Sequence, residues 1–294
     1  MGNVTKSGSQ GLGVALVIVS TLCLSTEAIA AKIAYQGGAG VMTTLTLRYI
    51  IATFIFWGFV LAGGYAYRLS ARQLQAVAAL SLGAQTLTVL ALFQAFQYIP
   101  AAMAILFLYL YPTIVTILAF FFLKEKITWP KGAALALTFL GAAFILGQPV
   151  GALDMRGVLL SVAAAVTNAV FLVGTARLLS GIQTPVYNAY VSSVVALAVG
   201  VLALSRGQFH LGFSLQAWAA IAVLGVVSTV IAMAALLRGV KIIGPSRAAI
   251  ISTFEPAATA LLAFWALGES LTLWQAAGGM VILAGVFLLK RESA

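Results

Sequence analysis

Residues 252–260 read STFEPAATA and place a carboxylate, Glu255, directly before a proline, Pro256, inside an apolar run about one helix long. A carboxylate near the middle of a hydrocarbon layer has three options: it is protonated, it faces a wet cavity, or it holds a cation. Proline carries no N–H, so the carbonyl of Ser252 loses its helical donor, and a protonated Glu255, a water or a substrate amine can supply one. Pro112 frees the carbonyl of Leu108 in the same way. Both prolines predict helix kinks with backbone polarity facing the interior.

Other polar residues fall on single helix faces within apolar segments. Gln85 and Thr88 follow Ser81 at helical spacing; Tyr109 shares a face with Pro112, Thr113 and Thr116, with Tyr111 beside it. Asn168 stands seven residues from both Ser161 and Thr175, Ser228 adjoins Thr229, and Ser252 shares a face with Glu255 and Thr259. Serine and threonine hydroxyls commonly bond their own backbone one turn back. The amides and the carboxylate have no such refuge, so Gln85, Asn168 and Glu255 are the leading cavity candidates, against helix–helix hydrogen bonds. Tyr109 and Tyr111 read equally as lining or as packing aromatics.

Three further charges lie within apolar segments. Glu27 is about seven residues, or ~10 Å, from the outer end of the first segment, with Arg48 at similar depth in the second and Lys32 nearer the surface. A pair between Glu27 and Arg48 or Lys32 is the economical structural reading, and a substrate or proton role for Glu27 is the functional one. No Lys or Arg is predicted at the depth of Glu255.

The elements that carry these residues belong to a membrane. The chain is 63% apolar and 7% charged, its mean hydropathy is +1.10, and runs such as residues 12–34 and 101–123 lack the polar face of a soluble helix. One cysteine, Cys23, and one histidine, His210, exclude a disulfide framework and a thiolate or histidine metal site. The net charge of +10 comes from lysines and arginines scattered in ones and twos, which does not fit nucleic-acid binding.

Charges and Gly/Pro breaks cut the chain into about ten apolar segments of roughly 18 to 25 residues. They run near 12–34, 43–65, 74–98, 101–123, 130–147, 157–177, 185–204, 216–238, 246–267 and 273–289. With the N terminus in the cytoplasm, 12 of the 16 Lys and Arg residues fall inside and only Lys32, Arg48, Arg156 and Arg206 outside. Both termini are therefore expected in the cytoplasm. Ala28-x-Ala30 imitates a signal-peptidase site, but the apolar run continues to Ile33, so the first segment is expected to be retained.

A shift of 144 residues superposes the two halves: Gly13 on Gly157, Pro112 on Pro256, Phe120 on Phe264, Glu125 on Glu269, Thr128 on Thr272 and Gly141 on Gly285. An odd number of helices per half makes the second copy enter from the opposite side. The expected architecture is all-α: ten transmembrane helices as two inverted five-helix repeats, residues 1–148 and 149–294, around a central cavity. Inverted repeats exchange conformations at comparable energy, which points to alternating access.

The stretches EAIAAKIA, LRYIIA, KEKITWPKGAALALTFLGAAFIL and FEPAATALLAFWALGESLTLWQAAGGMVILAGVFLL, in that order and spacing, resemble the ten-helix EamA-type transporters of the drug/metabolite transporter superfamily. That resemblance implies two inverted repeats in the inner membrane and export of small metabolites without nucleotide hydrolysis. Members include YddG-type exporters of aromatic amino acids. Lys32, Arg48 and Glu255 carry over as positions within matching motifs, whereas Glu27 departs from the small or aromatic residue expected there.

No phosphate-binding loop is present, so transport is expected to follow a gradient with no cofactor. A cavity of tyrosines, amides, hydroxyls and one or two carboxylates suits a neutral or zwitterionic metabolite, with neutral and aromatic amino acids first. The alternative is another metabolite or drug class, proton-coupled through Glu255 or Glu27. An intramembrane enzyme would need a convergent catalytic set, and a channel would need a continuous polar pore; the pattern offers neither.

Overall fold

The computed structural model describes residues 2–95, 98–99, 101–146, 154–267 and 273–291. Glu269 and Thr272 of the repeat, most of the 148–154 connection and the Lys32 side chain lie outside the described residues. In chain order the helices are α1 (Gly2–Ser25), α2 (Glu27–Gln36), α3 (Val41–Ala62), α4 (Ala71–Leu80), α5 (Leu87–Ala95), α6 (Ala101–Leu108), α7 (Tyr111–Leu123) and α8 (Trp129–Leu146). There follow α9 (Met155–Leu178), α10 (Thr184–Ser205), α11 (Leu215–Gly225), α12 (Ala232–Ile243), α13 (Pro245–Ser252), α14 (Glu255–Leu267) and α15 (Leu273–Arg291). Two π-helical turns, π1 (Ser81–Thr86) and π2 (Val226–Ile231), join α4 to α5 and α11 to α12.

Six continuous stretches among the described residues are long and apolar enough to cross a membrane: Gln10–Gln36, Val41–Ala62, Ala71–Ala95, Met155–Leu178, Thr184–Ser205 and Leu215–Ile243. Hydrocarbon offers no partner to a backbone N–H or C=O, so spans of this composition fold as helices. Their outward faces carry bulky side chains such as Phe54 (75% exposed), Phe121 and Leu197, while alanine, serine and threonine fill the contacts between helices. The chain is a multi-pass, all-helical membrane protein.

The 144-residue offset recurs in three dimensions. Ser70 and Ser214 each cap the following helix through the N–H three residues on, at 3.3 and 3.2 Å. Gly13 of α1 packs against Ile243 of α12, and Gly157 of α9 packs against Ile99, so equivalent residues form the same contact with the halves exchanged. Gly141 of α8 abuts the carbonyl of Gly278 and the backbone of Ile282 on α15. A Cβ at Gly141 would lie 2.6 Å from that carbonyl, and backbone does not yield as a side chain does. Gly141→Val should cost about 1–3 kcal/mol by forcing α8 and α15 apart, measured as a lower unfolding temperature in detergent.

At one end of the bundle Lys124, in the left-handed region at φ 56°, ends α7, and the Glu125 N–H bonds the Ala119 carbonyl six residues back. This turn delivers Glu125 to Lys131 Nζ at 3.1 Å and against Gly244, ahead of α13. Gly244 has φ 82° and ψ 160°, a conformation open essentially to glycine alone. Gly244→Ala is expected to cost about 1–3 kcal/mol, read in the same unfolding assay, because it adds backbone strain to a clash with the Glu125 carboxylate.

Candidate functional site

Among the described residues, regular helix is interrupted within apolar segments at five places. α6 gives way to α7 across Tyr109 and Leu110, and α13 to α14 across Thr253 and Phe254, at equivalent positions of the two halves. Proline occupies the second residue of the new helix in each case, Pro112 and Pro256, both buried. The sequence predicts kinks; the chain instead stops and restarts, with three-residue turns such as Thr253 N to Ile250 O and Leu110 N to Phe107 O. The remaining breaks are π1, π2 and the turn at Thr26 between α1 and α2.

Each interruption presents polar groups. Glu255 is the first residue of α14, where the half-helix N terminus favours negative charge. It is partly exposed, and its carboxylate forms no hydrogen bond or ion pair with any described residue. Tyr109 and Tyr111, both buried, have ring centroids 6.4 Å apart and lie within electrostatic reach of Glu255. The Tyr111 hydroxyl donates to the Ala249 carbonyl at 3.4 Å and also meets the buried Ser252 hydroxyl. One acid, two phenols and a hydroxyl thus gather around the α13–α14 break.

Glu27 is likewise a first residue, that of α2. Its two oxygens accept from Arg48 Nη1 and Nη2 at 2.7 and 2.9 Å, a two-point fork. Arg48 is one of the two partners open to Glu27 in the sequence; the side chain of the other, Lys32, lies outside the described residues. Arg48 is 7% exposed, and its Nε donates to Thr229 Oγ1 at 2.6 Å while Nη2 reaches the Ser228 carbonyl at 3.4 Å. The Ser228 hydroxyl pairs with Thr26 Oγ1 at 2.9 Å, joining π2 to the α1–α2 break. Glu255 is within electrostatic reach of both Glu27 and Arg48.

The π turns explain why polar groups occur where they do. Each widened turn places a threonine hydroxyl on the carbonyl five residues back, Thr86 on Ser81 at 2.9 Å and Thr229 on Leu224 at 2.7 Å. From π1, Gln85 Nε2 donates to the Tyr49 hydroxyl at 3.2 Å, and Tyr49 in turn lies under the Arg48 guanidinium. Thr88 donates to the Ala84 carbonyl and meets Thr167 at 2.7 Å, so it ties α5 to α9. Asn168 on α9 is half-buried. Thr26 and Tyr49 enter the cluster without a sequence signal, whereas Thr229 stands beside Ser228 in the polar pair that the sequence displays.

A separate groove of about 400 Å³ lies between α3 and α10, lined by Ile50, Phe54, Ala196, Leu197 and Val201 with no ionisable group. Its exposed Phe54 and Leu197 face outward, so it belongs to the lipid-facing surface and not to the polar cluster.

The sequence matches the model of the EamA-like transporter family twice, over residues 11–147 and 155–291. The chain belongs to the EamA-like transporter family. An EamA-like chain of this kind is 27% identical over 280 residues to an uncharacterized transporter of Archaeoglobus fulgidus, covering 95% of this chain and 97% of that one. It is 28% identical over 207 residues to an uncharacterized transporter of Synechocystis sp., covering 68% of this chain and 62% of that relative, somewhat under two thirds of its length. A solved crystal structure matches the fold with a TM-score of 0.83 at 21% identity, over 95% of this chain and 98% of that one. The EamA-like assignment makes the chain a membrane transporter, with the polar cluster where its helices break.

Proposed function

We propose that this transporter exports small metabolites, neutral and aromatic amino acids first, by alternating access across the inner membrane. In this reading ten transmembrane helices form two inverted repeats, 1–148 and 149–294, with both termini cytoplasmic. The three symmetric features support the inversion: the serine caps, the reciprocal glycine contacts and the paired proline breaks.

The observation that carries the substrate reading is Glu255. A carboxylate without a hydrogen-bond or ion-pair partner among the described residues, at a mid-segment break with two phenols beside it, suits the ammonium of a small amine-bearing substrate. The phenols and the apolar residues around them, Leu108 and Phe254, suit an uncharged or aromatic side chain. A nucleotide sugar carries two phosphates and suits several cationic groups, whereas the polar cluster holds one among the described residues, Arg48, which faces Glu27. A substrate panel in proteoliposomes, with and without a pH gradient, tests this. Saturable amino-acid transport is the expected result; transport of a different metabolite class with none of amino acids overturns it. Dependence on the pH gradient would identify proton coupling through Glu255 or Glu27.

A further inference from the structure

Arg48 is held from two sides that differ in kind. Its Nε and one Nη are fixed by Thr229 and the Ser228 carbonyl, both on π2. Its remaining face is filled by Glu27, which follows directly on the break at Thr26 and whose side chain is 29% exposed. The guanidinium would stay aimed if the carboxylate left, because its other bonds do not pass through Glu27. A guanidinium fork donates to any carboxylate with the same geometry, so replacing one by another keeps Arg48 paired. Beside the pair, the Tyr35 hydroxyl oxygen is buried with no hydrogen-bond partner among the described residues, within electrostatic reach of Glu27 and Arg48. It supplies an unused donor for an incoming acceptor.

We infer that Arg48 is the anchor for the substrate carboxylate and that Glu27 is its placeholder, displaced from the fork when a zwitterion binds. This rests on the amino-acid reading above and deepens it: the ammonium goes to the Glu255 side and the carboxylate to Arg48, with Tyr35 as a further donor. A zwitterion then exchanges partners with an existing ion pair and leaves no charge unpaired on Arg48. Arg48 sets specificity, and Glu27 competes with the substrate.

The test is a thermal-shift and equilibrium-binding panel on purified wild-type protein and Glu27→Gln, with phenylalanine, phenyllactate and phenethylamine as probes. In wild type, phenylalanine should bind at least about tenfold more tightly than phenethylamine, which lacks the carboxylate. In Glu27→Gln, with the competitor gone, phenylalanine and phenyllactate should bind about tenfold more tightly than in wild type and restore the melting temperature, and phenethylamine should do neither. A purely structural pair predicts no such rescue. Equal binding of phenylalanine and phenethylamine by wild type overturns the assignment, and this comparison stands even where Glu27→Gln fails to fold. Binding of phenyllactate without phenylalanine would sink the amino-acid reading while leaving Arg48 as a carboxylate anchor. Binding of none of the three overturns the assignment.

Discussion

Glu255→Gln should reduce substrate transport by at least about tenfold, the equivalent of 1.4 kcal/mol, while the protein purifies and melts close to wild type. The amide keeps the size of the carboxylate and removes the charge. The fold leans on that charge only through the α14 terminus and distant charges, since Glu255 forms no hydrogen bond or ion pair with a described residue. Its helix begins because Pro256 cannot continue the preceding one, and that cause survives the substitution. The loss should therefore appear in binding and transport and not in folding. Equilibrium binding, transport rate and melting temperature measured on one preparation separate these. Unchanged transport together with unchanged pH dependence would reduce Glu255 to a packing residue.

The second large effect is an asymmetry within the ion pair. Removing Glu27 as Glu27→Ala leaves Arg48, 7% exposed, with an uncompensated buried charge and should cost about 3–5 kcal/mol in the absence of substrate. Removing Arg48 as Arg48→Ala leaves Glu27, whose side chain is 29% exposed and can take up water or a proton, and should cost less, about 1–3 kcal/mol. Removing both should cost less than the sum, because neither charge is then stranded. Unfolding of the four proteins in one detergent gives the cycle. Equal costs for the two single variants would mean that both groups are equally wetted, contrary to the geometry.

The breaks at Pro112 and Pro256 were legible in the sequence because proline acts locally: it removes a donor and clashes with the preceding turn whatever surrounds it. The break at Thr26 was not. No proline or glycine marks it: the Thr26 hydroxyl donates to the Cys23 carbonyl three residues back, as helical threonines commonly do, and also meets Ser228, some two hundred residues away. The two π turns were equally hidden, since one extra residue barely alters an apolar pattern that is greasy on every side. Glu27 and Arg48 stood out as intramembrane charges of opposite sign at similar depth. Their setting did not, because Thr229 and the Ser228 carbonyl belong to the other half and a backbone carbonyl has no sequence signature. Several hydroxyls at helical spacing, among them Ser81, Thr116 and Ser161, bond their own carbonyl four residues back. Spacing alone does not separate such residues from Ser228 or Ser252, whose contacts cross between elements.

Broken helices that form a carrier site for a zwitterionic metabolite should exchange it across the membrane. Counterflow tests it most directly: proteoliposomes loaded with unlabelled phenylalanine or a neutral amino acid and diluted into labelled substrate. Transient, saturable accumulation of label above equilibrium, lost in Glu255→Gln, is the expected result. Absence of counterflow for every amino acid tested, alongside robust counterflow of another metabolite in the same vesicles, would contradict it.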